Sequence, residues 1–336
     1  MSEKATNSDI SCLMVSSRVR LARNLEGMPF KTRERGAFDA VADTIKANNT
    51  GFLSTNIQDL SGDMAKALYE QHLVSKELLA NKANSIIVVK KNNKVCVMLG
   101  EEDHIRIQAI ETGLDLEIAF AVAKKIADDI AAEHSIAFRP DFGYITSCPT
   151  NLGCAMRASV MMFLPALTIT RKIDTIINDL STQRITVRGV YGEGSEAGGN
   201  MYQLSNQACL GMSEQQIIET VESVAIQLAQ LELAAQNALY KANPDVITDQ
   251  VALAYAILTG AYMISSSEAV DHLALLKLGS CLGLVKFKNN RVLDDLFFVI
   301  QPATLTTQDT KAQSVHERDK IRATRVADIL RTSRVK

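Results

Sequence analysis

Apolar positions along the chain alternate in some stretches and recur every three or four residues in others, so strands and helices are both expected. Residues 12–22 read as extended, while 38–48 and 63–73 carry helical spacing. Residues 85–99 hold two apolar runs joined by Lys91-Asn92-Asn93-Lys94, a hairpin that feeds another extended stretch over 100–108. Residues 116–134 form an Ala-rich amphipathic helix with Ala119, Val122, Ile126 and Ile130 in one stripe. A helix is predicted to begin near Met156, to be interrupted at Pro165 and to resume over 168–180. Residues 183–190 and 200–206 read as strands. Ser213-Glu214-Gln215-Gln216 is a capping box opening a long helix to Ala242, with Ile217, Val221, Val224, Leu228, Leu231, Ala235 and Leu239 as its buried stripe. Asn243-Pro244 should end it. Beyond lie helices only, over 248–264, 268–282, 292–299 and 315–331, with 304–313 as a polar connector. The pattern predicts an α+β protein: an antiparallel sheet flanked by helices over 1–243, then an all-α C-terminal domain over 244–336.

Composition narrows the class. Lys plus Arg is 36 against 38 Asp plus Glu, which supplies no global field for nucleic acid or an anionic membrane. No apolar run approaches the ~18–20 residues of a membrane span. The first ten residues are polar and lack a signal pattern. Six cysteines (12, 96, 148, 154, 209 and 281) show neither paired nor metal-ligand spacing, which points to a reducing cytoplasm without a disulfide framework or zinc site.

Several charged residues fall where chemistry could sit. On a strand over 100–108, Glu102, His104, Arg106 and Gln108 share one face, opposite Ile105, Ile107 and Ala109. Such a face is either the solvated side of a sheet or the floor of a polar cleft. Arg18 and Arg20 also share a side, and adjacent guanidiniums repel unless an anion lies between them; exposed arginines are the plain alternative. Arg157 is expected in a first helical turn, where backbone N–H groups point outward. Arg188 lies on the strand 183–190, and a glycine-rich loop carrying Glu193 follows, with neither dinucleotide-fold nor P-loop spacing. Arg18, Arg20, Arg106, Arg157 and Arg188 are the parts needed to clamp a triphosphate and to neutralise charge on a transferring phosphoryl group. Glu102 and Glu193 beside phosphates require an intervening cation, either Mg²⁺ or a positively charged acceptor. The residues alone point to phosphoryl transfer and leave the acceptor open. His72 reads equally as a helix-dipole partner, and Cys148 as a small buried residue.

Five ordered motifs add a family resemblance. Ser16-Ser17-Arg18-Val19-Arg20, Glu101-Glu102-Asp103-His104-Ile105-Arg106, Cys148-Pro149-Thr150-Asn151-Leu152-Gly153, Arg157-Ala158-Ser159-Val160 and Arg188-Gly189-Val190-Tyr191-Gly192-Glu193-Gly194-Ser195-Glu196 resemble those of ATP:guanido phosphotransferases, the phosphagen kinases. The family's usual leading helical domain is replaced here by the helical tail, a layout similar to the bacterial protein-arginine kinases. The resemblance implies Glu102 as the base that deprotonates the acceptor guanidinium, Glu193 as its grip, and Cys148, as thiolate, contacting another of its nitrogens. It assigns ATP to Ser16, Ser17, Arg18, Val19, Arg20, His72, Arg106, Arg157, Ala158, Ser159, Val160, Met161, Arg188, Gly189, Val190, Tyr191, Gly192 and Glu193, with Mg²⁺ carried on the nucleotide and no protein metal ligands. Gly100, Cys154 and Phe163 depart from the family pattern.

In the tail, Arg318, Asp319, Arg322 and Ala323 at helical spacing are either an exposed charged face or, by resemblance, an allosteric phosphoarginine pocket. Protein substrates modified on arginine, an activator protein, a heat-shock repressor, a Clp-type unfoldase or protease, and a homodimer are the partners so implied. A kinase of free arginine or another small guanidino compound, and a phosphoarginine-binding adaptor without catalysis, are the other readings.

Overall fold

The computed structural model describes residues 10–30, 32, 34–190 and 198–335. Its strands are β1 (Met14–Arg23), β2 (Phe52–Asn56), β3 (Ile86–Lys90), β4 (Val95–Leu99), β5 (Ile105–Thr112), the short β6 (Phe138–Arg139) and β7 (Gly143–Tyr144), β8 (Met156–Phe163), β9 (Ile185–Gly189) and β10 (Met201–Asn206). The helices are α1 (Arg35–Asn48), α2 (Gly62–Glu70), α3 (Lys76–Ala80), α4 (Leu116–Glu133), α5 (Pro165–Ile169), α6 (Ile173–Thr182), α7 (Glu214–Ala242), α8 (Pro244–Gly260), α9 (Ser266–Cys281), α10 (Arg291–Val299), α11 (Pro302–Gln308) and α12 (Val315–Ser333).

Eight strands form one antiparallel sheet in the order β2-β3-β4-β5-β1-β8-β10-β9, with β6 and β7 paired separately. Period-two alternation sorts the side chains of its central strands. Val19, Leu21, Ile105, Ile107, Ala158 and Val160 are buried on one face, where α4 and α7 pack. The opposite face carries the arginines. The fold class is as the periodicity predicts: a helix-flanked antiparallel sheet followed by helices.

Several details differ from the sequence expectation. Residues 156–163 are the strand β8, not the start of a helix, because a short apolar run buried on both faces has no alternation to distinguish it. Pro165 does not interrupt a helix; it opens α5, where its missing N–H costs nothing. Residues 304–313 are not only a connector, since α11 occupies their first half. Along α7 the capping box forms as expected, but the buried stripe drifts. Leu231 is 53% exposed and Glu232 is fully buried. The Glu232 carboxylate accepts hydrogen bonds from the Ala166 and Leu167 amides at 2.8 and 2.9 Å and from Gln236 Nε2 at 2.8 Å. Pro244, similarly, begins α8 rather than only ending α7.

The helical region packs directly on the sheet-bearing region. Arg291 Nη1 donates to the Met14 carbonyl at 2.7 Å. The Glu70 carboxylate accepts from the amides of Ala303 and Thr304, at 2.9 and 2.7 Å, and so caps α11. One continuous apolar cluster includes buried residues from Leu13 to Leu330, and a smaller one holds Ile57, Leu73, Leu78, Ile87 and Met98.

Candidate active site

Register aligns the polar face strand by strand. Arg20 lies opposite Arg157 of β8 and Gln108 of β5, and Arg18 lies opposite Ser159 and Ile110. Ser16 faces Met161, Met161 faces Gln203, and Gln203 faces Arg188. Arg106 continues the same face of β5. Side chains directly opposite on neighbouring antiparallel strands sit ~5 Å apart at Cβ, and like charges there repel. Burial first, then the Arg157 and Arg106 charges, push the Arg18 guanidinium down to about 10. Burial and the neighbouring arginines also push Arg20 well below the usual guanidinium range. Among the described residues, the Nε atoms of Arg18 and Arg20 are buried without a hydrogen-bond partner. Unpaired donors and crowded positive charge on one face are what an anion would relieve.

At the Arg20 end a cleft of about 160 Å³ is lined by Arg20, Arg106, Arg157, Glu102, Cys148 and Asn151, among others. Glu102 Oε2 is 3.7 Å from Arg106 Nη2, and its side chain is 41% exposed. Arg106 is anchored by Glu101, a buried carboxylate that also accepts from Ser75 Oγ. Arg157 Nη2 donates to Ser205 Oγ at 2.8 Å. Cys148 Sγ lies 3.0 Å from Thr150 Oγ1. Glu102 and Cys148, which the family resemblance groups together, both line this cleft with the arginines; sequence reasoning missed Glu101, whose signal was its position five residues before Arg106.

The strand β5 starts at Ile105, so Glu102 and His104 belong to the preceding loop and do not alternate with Arg106. His104 is buried away from the cleft. Its Nδ1 accepts from the Leu25 amide at 3.0 Å and its Nε2 lies 2.8 Å from the Pro29 carbonyl, which assigns the proton to Nε2. Asp103 accepts from Asn24 Nδ2 and from the Ser147 amide, both at 2.7 Å, tying the Glu102 loop to the Cys148 loop. Gly100 has φ +79°, and a Cβ there would meet Asn84 O and the Phe38 ring at 2.9 Å, so the loop requires glycine.

The structure sorts the remaining nucleotide candidates by face. Ser17, Val19, Ala158 and Val160 are fully buried and turned away from the arginines. Ser17 Oγ donates to Gly113 O at 2.7 Å, and the Ala158 amide is spent on Asn206 Oδ1 at 2.9 Å. Ser16, Arg18, Ser159, Met161 and Val190 line a second cavity with His72. Burial, then the Arg18 charge, push the His72 imidazole down to about 4, so it is neutral near pH 7. His72 lies just past α2 with φ +57°. Arg188 is exposed, and Gly189 ends β9. Tyr191, Gly192 and Glu193 lie outside the described residues. Phe163 does not enter the cavity: it is fully buried, with Lys277 Nζ 5.3 Å from its ring centre. Cys154 is also buried, its thiol pushed up by its contact with Cys209 and by burial.

In the tail, Arg322 is 1% exposed. Its Nε donates to Ile300 O and its Nη1 to Ile264 O, both at 2.8 Å, and Nη1 meets Asp319 Oδ1 at 2.5 Å. Ala323 is buried beside it, while Arg318 is half-buried and donates to Gln313 O at 3.0 Å. These residues are neighbours, but Arg322 serves packing first.

Comparison with known proteins agrees with this geometry. Residues 35–235 match the family described as ATP:guanido phosphotransferase, C-terminal catalytic domain. Residues 244–336 match the family described as protein-arginine kinase McsB C-terminal domain. A protein-arginine kinase of Bacillus subtilis (strain 168) is 38% identical, covering 98% of this chain and 92% of its own length. One from Caldanaerobacter subterraneus subsp. tengcongensis is 40% identical over 93% of this chain and 95% of its own. Among solved structures, lombricine kinase has a TM-score of 0.58 at 24% identity, covering 67% of this chain and 68% of that one. The duplicated taurocyamine kinase from Schistosoma mansoni has a TM-score of 0.61 at 25% identity, covering 78% of this chain and 40% of that one. The first family match starts at residue 35, after β1, yet β1 supplies two of the arginines and sits inside the sheet.

Proposed function

The chain belongs to the ATP:guanido phosphotransferase family, and from that premise we propose that it transfers the γ-phosphoryl group of ATP to arginine side chains of proteins. The observation that carries this reading is the cleft in which Arg20, Arg106 and Arg157 meet Glu102 and Cys148. The cations suit an anionic phosphoryl group; the carboxylate beside them suits a cationic acceptor.

In this mechanism the polyphosphate lies across Arg18, Arg20, Arg157 and Arg188, with Arg106 held in place by Glu101. A guanidinium holds its proton firmly, so Glu102 accepts a proton from the attacking nitrogen as the N–P bond forms. The bond between the γ-phosphorus and the bridging oxygen breaks, and ADP leaves with that electron pair. Cys148 contacts the acceptor guanidinium without forming a covalent bond. Glu193, by resemblance, grips and orients that guanidinium. Among the described residues no group of three His, Cys, Asp or Glu side chains is arranged to hold a metal. Mg²⁺ would ride on the nucleotide's phosphates and neutralise part of their charge, leaving the arginines to hold the remaining oxygens.

Two further assignments rest on the tail and its resemblance. Arg318, with Asp319 and Arg322, is proposed to dock phosphoarginine. An activator, a heat-shock repressor and a Clp-type protease are proposed partners, and a second copy of the chain is proposed to pair through the helical region. The primary test incubates the chain with ATP and either casein-like protein or free arginine, followed by mass spectrometry that preserves N–P bonds. Phosphoarginine in the protein is the expected product. Label on free arginine alone would replace this reading with that of a small-guanidine kinase.

A further inference from the structure

Past Arg18, at the end of the arginine face opposite the carboxylate cleft, lies a cavity of about 400 Å³. That volume is in the range of a small-ligand site. One wall is the sheet, through Ser16, Arg18 and Met161. The other is the helical region, through Asp295 and Phe298 of α10 and Thr304 of α11. This second wall is held in place by three ties. The His72 and Phe298 rings meet edge to face at 5.9 Å and 89°. Arg291 Nη1 donates to Met14 O at 2.7 Å. Glu70, two residues before His72, caps α11 through the Ala303 and Thr304 amides.

Strand geometry sets a direction. Ser16, Arg18 and Arg20 follow one another on one face of β1, about 6.6 Å apart at each step. Ser16 and Arg18 open into the cavity and Arg20 opens into the cleft. A polyphosphate whose terminal group reaches Glu102 along this track has its other end in the cavity. That end meets an aromatic ring at Phe298, the apolar Met161 and Val190, an imidazole at His72 and a carboxylate at the rim, Asp295. The other cations of this lining, Lys94 and Arg291, are already paired with Glu111 and Asp294, so apolar surface with acceptors at its edge suits a heteroaromatic base and its sugar better than another phosphate. We propose that α10 and α11 supply one wall of the nucleoside subsite, with Phe298 its main apolar contact, so that residues 244–336 take part in holding ATP. This inference rests on the kinase reading above. It makes the docking of the helical region and the binding of ATP mutually reinforcing.

Binding measured by calorimetry on the full chain tests it, with ATP and inorganic tripolyphosphate as paired probes. Tripolyphosphate can use the arginines but has no base. Phe298→Ala is expected to weaken ATP by roughly tenfold or more, as loss of a base-stacking ring does, and to leave tripolyphosphate unchanged. In turnover, the KM for ATP should rise while kcat at saturating ATP is kept. Phe298→Leu, which retains apolar bulk, covers the case in which the alanine variant does not fold, and should show the same selective loss in smaller measure. If these variants leave ATP affinity unchanged, or weaken both probes equally, the nucleoside wall is wrong while the arginine clamp stands. If the unaltered chain binds neither probe, or Arg18→Ala does not weaken tripolyphosphate, the clamp fails and takes this inference with it.

Discussion

Glu102 and Glu101 are adjacent carboxylates with different tasks. Glu101 is buried and spent on Arg106 and Ser75, whereas Glu102 keeps 41% of its side chain exposed at the cleft. Glu102→Gln should therefore leave folding and ATP affinity in place and lower kcat by ~10²–10⁴, the usual contribution of a general base; single-turnover kinetics checks both. Glu101→Gln should instead loosen Arg106 and raise the KM for ATP. His72 makes a stability prediction. Its imidazole sits at about 4 in the folded chain against an ordinary 6.5. Between these values the unfolded chain binds more protons, so stability rises with pH across the window and is lost as pH falls through it. The loss on going from pH 6.5 to 4 should reach at most about 3 kcal/mol, given ~1.4 kcal/mol per pH unit. His72→Asn, which tolerates the positive φ, should flatten that slope in urea titrations. The arginines and Glu102 were legible because the motif residues stand at characteristic spacings. The role of His104 was not: a strand phase extended five residues too far put it in the cleft, and only the Leu25 and Pro29 contacts reveal it as a pin.

Among the elements, β8 shows where periodicity stops carrying information. Met156–Phe163 is apolar on both sides in most positions because β1 and β10 flank it and helix α7 covers it. Its Arg157 sits on the sheet face opposite Arg20, rather than at a helix start. The consequence for function is large, since a strand delivers Arg157 as a fixed lateral neighbour of β1. Helix α12 carries the opposite lesson. Arg322 at i+4 from Arg318 looks like a surface pair, yet it bonds the carbonyls of Ile264 and Ile300 and so joins two loops of the helical region. Arg322→Ala strands two buried carbonyls, at ~1–3 kcal/mol each. Thermal unfolding should show a drop of several degrees for Arg322→Ala and little change for Arg318→Ala. Arg318 is thus the variant with which to measure phosphoarginine affinity.

For the whole molecule, the question is whether residues 244–336 fold apart from the rest. The proposed boundary at Asn243 falls at the single residue between helices α7 and α8, but the buried apolar cluster crosses it. Gly199, at φ +64°, lies so close to Phe297 and Val270 that a Cβ would meet them at 2.7 and 3.0 Å. Calorimetry of the full chain should give one cooperative transition. A chain ended at Asn243 should melt lower and bind a dye for exposed apolar surface. Two separate transitions in the full chain would contradict the shared core. Among the described residues no helix is long and apolar enough to cross a membrane.

Local rules were enough for the alternating strands, the stacked stripe of α4, the capping box of α7 and the presence of a helical tail, because each depends on neighbours a few residues apart. The motifs carried the family, and with it the chemistry, for the same reason. Strand order, register and the face on which each arginine lands depend on pairings between residues about ninety to a hundred and forty positions apart, as Ser17 to Glu111 and Arg18 to Ser159 show. No window along the chain contains that information. Tertiary packing alone decided that Glu101 rather than Glu102 anchors Arg106, that Arg322 is interior, and that α10 closes a cavity over β1.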